Sequence, residues 1–101
     1  MNRLQYLLIK LAEEASEVSQ IALKTSQFGM EETCPGLLEN NKQRIHSELN
    51  DLWGIVTMLN NEFNFEFKLD PVKVDLKQLK VNKYYEYSKE QGMINEKNTI
   101  N

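Results

Sequence analysis

The chain predicts an all-α fold, a helical bundle whose four-helix core is completed by oligomerisation. Two long segments repeat apolar residues at spacings of three and four, a third helical segment ends at a glycine, and no stretch alternates for long enough to build a sheet. Three helices make an incomplete four-helix cross-section, so a homodimer or homotetramer is expected to cover the remaining apolar stripes. The 101 residues are enough for one domain, read here as a helical domain over 1–92 and a flexible polar tail over 93–101. A domain of this size buries only about two-thirds of the surface its unfolded chain exposes, which also favours association.

The first helix is read over residues 2–28. Leu4, Leu7, Leu8, Leu11, Ala15, Val18 and Ala22 form one stripe, and Gly29 is placed to end it. Residues 29–40, GMEETCPGLLEN, hold Pro35-Gly36 and read as a loop, with a short helical turn around Leu37 and Leu38. A second helix is expected from about residue 41 to 63 on Ile45, Leu49, Leu52, Val56, Leu59 and Phe63, with Asn40 or Asn41 as its N-cap. Phe63, Phe65, Phe67 and Leu69 then alternate with polar residues, the mark of an extended connector pinned by aromatic side chains and ending at Asp70-Pro71. The third helix is expected from Asp75, a good N-cap, to Glu90, with Gly92 as its stop.

Twelve basic against fifteen acidic residues give a net charge of −3, the wrong sign for a protein that neutralises nucleic-acid phosphates. No apolar run approaches the roughly 18 residues of a membrane span, and the N-terminus lacks the pattern of a secretory signal. A cytoplasmic protein with neither nucleic acid nor membrane as partner is therefore expected. One cysteine, Cys34, cannot form an internal disulfide, and with one histidine, His46, it cannot complete a zinc site. Any metal must be held by carboxylate oxygens. Residues 1–70 carry eleven acids against six bases, whereas residues 71–101 carry six bases against four acids.

The acids have a geometry. At about 100° per residue, Glu14 and Glu17 lie about 60° apart, bordering the apolar stripe of the first helix, and Ile21 continues apolar surface past Glu14. Glu13 falls on the solvent side. On the second helix Glu48 sits inside the stripe, about 40° from Leu52, with Asp51 and Arg44 on the same side. The two stripes must pack together, which brings Glu14 and Glu17 opposite Glu48 and Asp51. Four negative groups then converge, with Lys10 and Arg44 able to neutralise half of them. A Mg²⁺ ion, with Mn²⁺ as a possible substitute, would resolve the conflict through oxygen ligands alone. A solvated acidic face remains the alternative on spacing alone.

LAEEASEV at 11–18 and HSELNDLWGIV at 46–56 resemble the paired E-x-x-E and E-x-x-D motifs of the MazG-like all-α nucleoside triphosphate pyrophosphohydrolases, a superfamily that includes dimeric dUTPases, dCTP pyrophosphatases and phosphoribosyl-ATP pyrophosphatases. The match covers about the first 60 residues. The resemblance implies Mg²⁺-dependent hydrolysis between the α- and β-phosphates of a (d)NTP, giving a nucleoside monophosphate and pyrophosphate. It makes Glu14, Glu17, Glu48 and Asp51 the metal ligands, with Glu13 matching an extra acid of some members. The long gap at 18–47 departs from the family pattern and leaves substrate choice open. Among the acids, Glu17 is the candidate catalytic base for an attacking water.

Four further residues are candidates for substrate binding. Lys80 and Lys83, on the basic third helix, would hold phosphates, unless they are simply solvated. Lys10 shares a face with Glu14 and Glu17 and would be a salt-bridge partner or a phosphate ligand. Trp53 would stack on a base or anchor a dimer interface. Phe28, Tyr84, Tyr85 and Tyr87 are aromatic candidates for a base pocket, with packing as the default. His46, about 120° from Leu52, is read as a surface residue. Two other functions stay open: a phosphoribosyl-ATP pyrophosphatase, and a non-enzymatic helical module whose acids pair with a partner.

Overall fold

A computed structural model describes residues 1–96, and among them the chain is all-α: α1 over Arg3–Phe28, α2 over Asn41–Phe63 and α3 over Pro71–Glu90, with no strand. The contacts divide the chain into two compact units, Met1–Phe67 and Lys68–Asn101. No helix among the described residues is long and apolar enough to cross a membrane.

In the first unit both helices open with a capping box. The Asn2 side chain accepts from the Gln5 N–H at 2.8 Å, while the Asn2 N–H donates to Gln5 Oε1 at 2.9 Å. Asn40 and Gln43 repeat the arrangement on α2, so two otherwise unpaired N–H groups at each helix start are satisfied. Asn40 is thus the cap of α2, and its neighbour Asn41 is free for another task. Gly29, at φ 91°, ends α1 with its N–H bonded to the Thr25 carbonyl, a backbone angle that side chains disfavour. At the far end of α2, Asn64 takes the left-handed conformation with φ 51°. The turn of helix expected around Leu37 and Leu38 does not form; a turn at Pro35-Gly36, closed by the Leu37 N–H on the Cys34 carbonyl, leads into a bend at Leu38-Glu39.

The connector is anchored at one residue rather than along its length. The Phe67 N–H donates to Asn60 Oδ1 and the Phe67 carbonyl accepts from Asn60 Nδ2, each at 2.9 Å. Its ring meets Trp53 edge to face, with centroids 6.0 Å apart. Phe63, Phe65 and Phe67 all remain exposed.

Arg3 Nε and Nη2 donate to the two carboxylate oxygens of Glu62 at 3.0 and 3.2 Å. This joins the start of α1 to the end of α2, so the helices run antiparallel. Their seam buries Leu7, Ile21 and Leu59 together with Asn41. The buried face of α1 is rotated from the centre of its apolar stripe. Leu7, Ile21 and half-buried Glu14 lie within about 40° of one another, whereas Leu4, Leu8, Ala15 and Ala22, on the other half of the stripe, stay exposed. One neighbouring helix covers only half of so wide a stripe. Leu49 and Trp53 are exposed on α2 in the same way.

In the second unit α3 begins at Pro71, not at Asp75. Asp70 Oδ1 accepts from the Val72 and Lys73 N–H groups at 3.0 and 3.2 Å. Pro71 follows at the first helical position, where a missing N–H is harmless and a fixed φ already suits the helix. The helix ends as expected at Glu90, and no residue of α3 is buried. The segment after it turns back: Lys89 Nζ meets Glu96 Oε1 at 2.9 Å, and the Met93 N–H bonds the Ser88 carbonyl. The rest of the tail expected over 93–101 lies, from Lys97 onward, outside the described residues.

Candidate metal centre

Glu14 and Glu17 are one turn apart on α1, and Glu48 stands on the turn of α2 that faces them. Each of the three offers a carboxylate oxygen, and these oxygens lie within 4.8 Å of one another. Asp51, the fourth acid predicted to join them, is exposed and outside this group of three, yet its charge reaches both Glu14 and Glu48. Glu17 is exposed, whereas Glu14 and Glu48 are half-buried. In each of the latter, Oε2 is sealed from solvent and meets no hydrogen-bond donor.

A buried acceptor without a donor is an unfavourable arrangement, and a carboxylate more so. Burial pushes the Glu14 and Glu48 carboxyls above the usual range, and the neighbouring carboxylate of Glu17 raises both further, with Asp51 adding to each. The charge of Lys10 reaches Glu14, but Lys10 forms no ion pair with it. Lys10 makes its ion pair with Glu13 at 3.0 Å and lies 5.4 Å from the centre of the Tyr6 ring. Arg44, from the same face as Glu48, donates from Nη1 to Asn41 Oδ1 at 3.5 Å. Among the described residues, none of Glu14, Glu17 and Glu48 makes an ion pair.

Such a group has two ways to lower its energy: share protons, or accept a cation. Its donors are all carboxylate oxygens from two helices, a set that suits a hard divalent ion and not zinc or copper. The two solvent-sealed oxygens provide ligand atoms with no competing hydrogen bond. The residues therefore fit Mg²⁺ or Mn²⁺.

Trp53 is 46% exposed and packs by its edge on Phe67. Lys80 and Lys83 are exposed on α3, in the second unit. His46 is exposed, as read.

Apolar periodicity gives no sign of the role of Asn41, which is fully buried. Its Nδ2 donates to the Gly29 carbonyl and to Glu32 Oε1, both at 2.9 Å. Backbone bonds from Asn41 N–H to the Glu32 carbonyl and from Lys42 N–H to the Met30 carbonyl fasten the same loop. The paired asparagines at the start of α2 were the available signal. A cavity of about 490 Å³ opens between this loop and α2, with Arg44, Ser47 and Glu48 on its helical wall.

No protein family, characterised protein or solved structure matches the chain.

Proposed function

We propose that the protein is a divalent-metal-dependent nucleotide pyrophosphohydrolase that cleaves the α–β bond of (d)NTPs to give a nucleoside monophosphate and pyrophosphate. What supports this is the pair of solvent-sealed, donorless oxygens on Glu14 and Glu48, set on facing helices within ligand distance of Glu17. The order of the motifs, E-x-x-E on α1 and E-x-x-D on α2, supplies the reaction class by its resemblance to the MazG-like enzymes.

Glu14, Glu17 and Glu48 would hold the metal, with Asp51 contributing charge at the rim. The ion, Mg²⁺ or Mn²⁺, would supply Lewis acidity toward phosphate oxygens and lower the pKa of a coordinated water. Glu17, the most exposed of the three, would take the proton of the attacking water. The water oxygen bonds to the α-phosphorus, the bridging oxygen leaves with pyrophosphate, and no covalent enzyme intermediate is required. Lys10 and Trp53 stay in the proposal as substrate-binding candidates. Lys10 would have to exchange Glu13 for a phosphate to serve.

The exposed half of the α1 and α2 stripes supports a homodimer or homotetramer that completes a four-helix core. Incubation with a panel of NTPs and dNTPs, detecting pyrophosphate and orthophosphate separately, tests the reaction. Pyrophosphate is the expected first product, and orthophosphate in its place would exclude α–β cleavage.

A further inference from the structure

We infer that α3 is the element by which this chain binds a second copy of itself: the ridge of Val72, Leu76 and Leu79 packs on the uncharged outer face of the second copy's α1. This contact rests on the homo-oligomer proposed above, names its surfaces, and uses none of the nucleotide chemistry.

Among the described residues α3 is the single α-helix of the unit Lys68–Asn101, and one helix cannot bury its own apolar side chains. Around its axis Val72, Leu76 and Leu79 fall within about 60° of one another, while Val74, Val81 and Tyr85 fall within about 40° on the opposite side. Apolar residues on two sides belong to a helix that is covered on both. Val72, Leu76 and Leu79 are 66%, 59% and 66% exposed, so most of that ridge is open to a partner. Lys73, Lys77 and Lys80 fill the arc between the two faces, with no acid among them. None of the three forms an ion pair among the described residues.

The outer face of α1 has the complementary character. Leu4, Leu8, Ala12, Ala15, Ser19 and Ala22 are exposed along it, within an arc of about 160° that holds no charge. All six charged residues of α1 lie outside that arc. A solvent face would carry them, and an uncharged strip along a helix otherwise rich in charge marks an interface. Shape and charge select α3 of a second copy as its occupant. The strip is lined mostly by alanine and serine, whereas the α3 ridge is leucine and valine, and close packing sets large side chains against small ones. Two α1 strips laid together would set alanine on alanine and leave voids. Residues 1–67 hold ten acids and five bases, and residues 68–101 hold seven bases and five acids, so the first unit of one copy attracts α3 of another. At the rims, Lys73 and Lys80 flank the α3 ridge and Glu13 flanks the α1 strip. By two-fold symmetry each copy gives its α3 and receives its partner's, so the contact forms twice.

Cross-linking tests the contact. On a Cys34→Ser background, which removes the single cysteine, one preparation carries Ala15→Cys and a differently tagged one carries Leu79→Cys. Both positions are mid-helix, so they meet whichever way the helices run. After subunit exchange, a short bismaleimide is expected to give the mixed pair as its main product and little from either preparation alone. Leu79→Glu should raise the dissociation constant seen in sedimentation about tenfold or more, with the far-UV circular dichroism unchanged. If the wild type sediments as a dimer or larger, three results overturn this contact alone: no mixed pair, an unchanged dissociation constant, or a monomer-mass cross-link in a chain carrying both cysteines. A wild type that sediments as a monomer overturns the homo-oligomer as well and leaves the carboxylate centre untouched.

Discussion

Replacing Glu48 by glutamine should stabilise the metal-free protein while removing its response to metal. The amide keeps the shape of the side chain but deletes a charge that stands within 4.8 Å of two other carboxylates. Coulomb's law puts the repulsion that Glu48 feels from one such neighbour at about 1 kcal/mol even at the dielectric of water. In a domain of about 100 residues, 1 kcal/mol corresponds to a Tm change of about 4–8 °C. The metal-free variant is therefore expected to melt several degrees above wild type. Mg²⁺ at about 100 times its Kd would stabilise wild type by about 2.7 kcal/mol, a rise of roughly 10 °C or more. The variant should show almost none of that rise and should lose at least 100-fold in pyrophosphate release. Scanning calorimetry of both proteins, with chelator and with a Mg²⁺ series, reads all of this. A variant that melts below wild type in chelator, or gains as much from Mg²⁺ as wild type does, would refute the crowded-carboxylate argument.

Three further outcomes follow from the same structure. The carboxyls of Glu14 and Glu48 are held above their ordinary value of 4.5, so the folded state binds more protons than the unfolded chain as pH rises from that value through the raised folded one. Their contribution is present below pH about 4.5 and fades over that interval, so metal-free Tm should carry a falling component there, one that Glu48→Gln reduces and saturating Mg²⁺ suppresses at neutral pH. Asn41→Ala removes two side-chain donors from a fully buried position, and should cost about 1–3 kcal/mol in urea unfolding while accelerating Cys34 labelling; an unchanged midpoint would show that the loop needs no such anchor. Sedimentation velocity at micromolar concentration should find a dimer or larger species, and a stable monomer would count against completion of a four-helix core.

Much of the architecture is local and was readable. The apolar period of three and four located α1 and α2 to within a residue or two, because a helix bonds and crowds its own neighbours at those spacings. Asn40 and Gly29 mark ends for reasons that involve only a few adjacent atoms. The start of α3 was equally local, but Asp70-Pro71 reads as the close of the connector until Pro71 is recognised as a first-turn residue. The clamp of Asn60 on Phe67 was not readable. It joins residues in a helix and an irregular segment, and no period links them.

The amino-acid order by itself determined that the chain is helical and that Glu14, Glu17 and Glu48 border or enter apolar stripes. Only the tertiary structure decided which half of each stripe meets the other helix. The seam of α1 turned toward Ile21 and Glu14 and left Leu4 and Leu8 outside, sealing one oxygen of Glu14 and one of Glu48 from water. A stripe wider than one neighbour can cover admits more than one rotation, and the choice lies in packing between residues far apart along the chain.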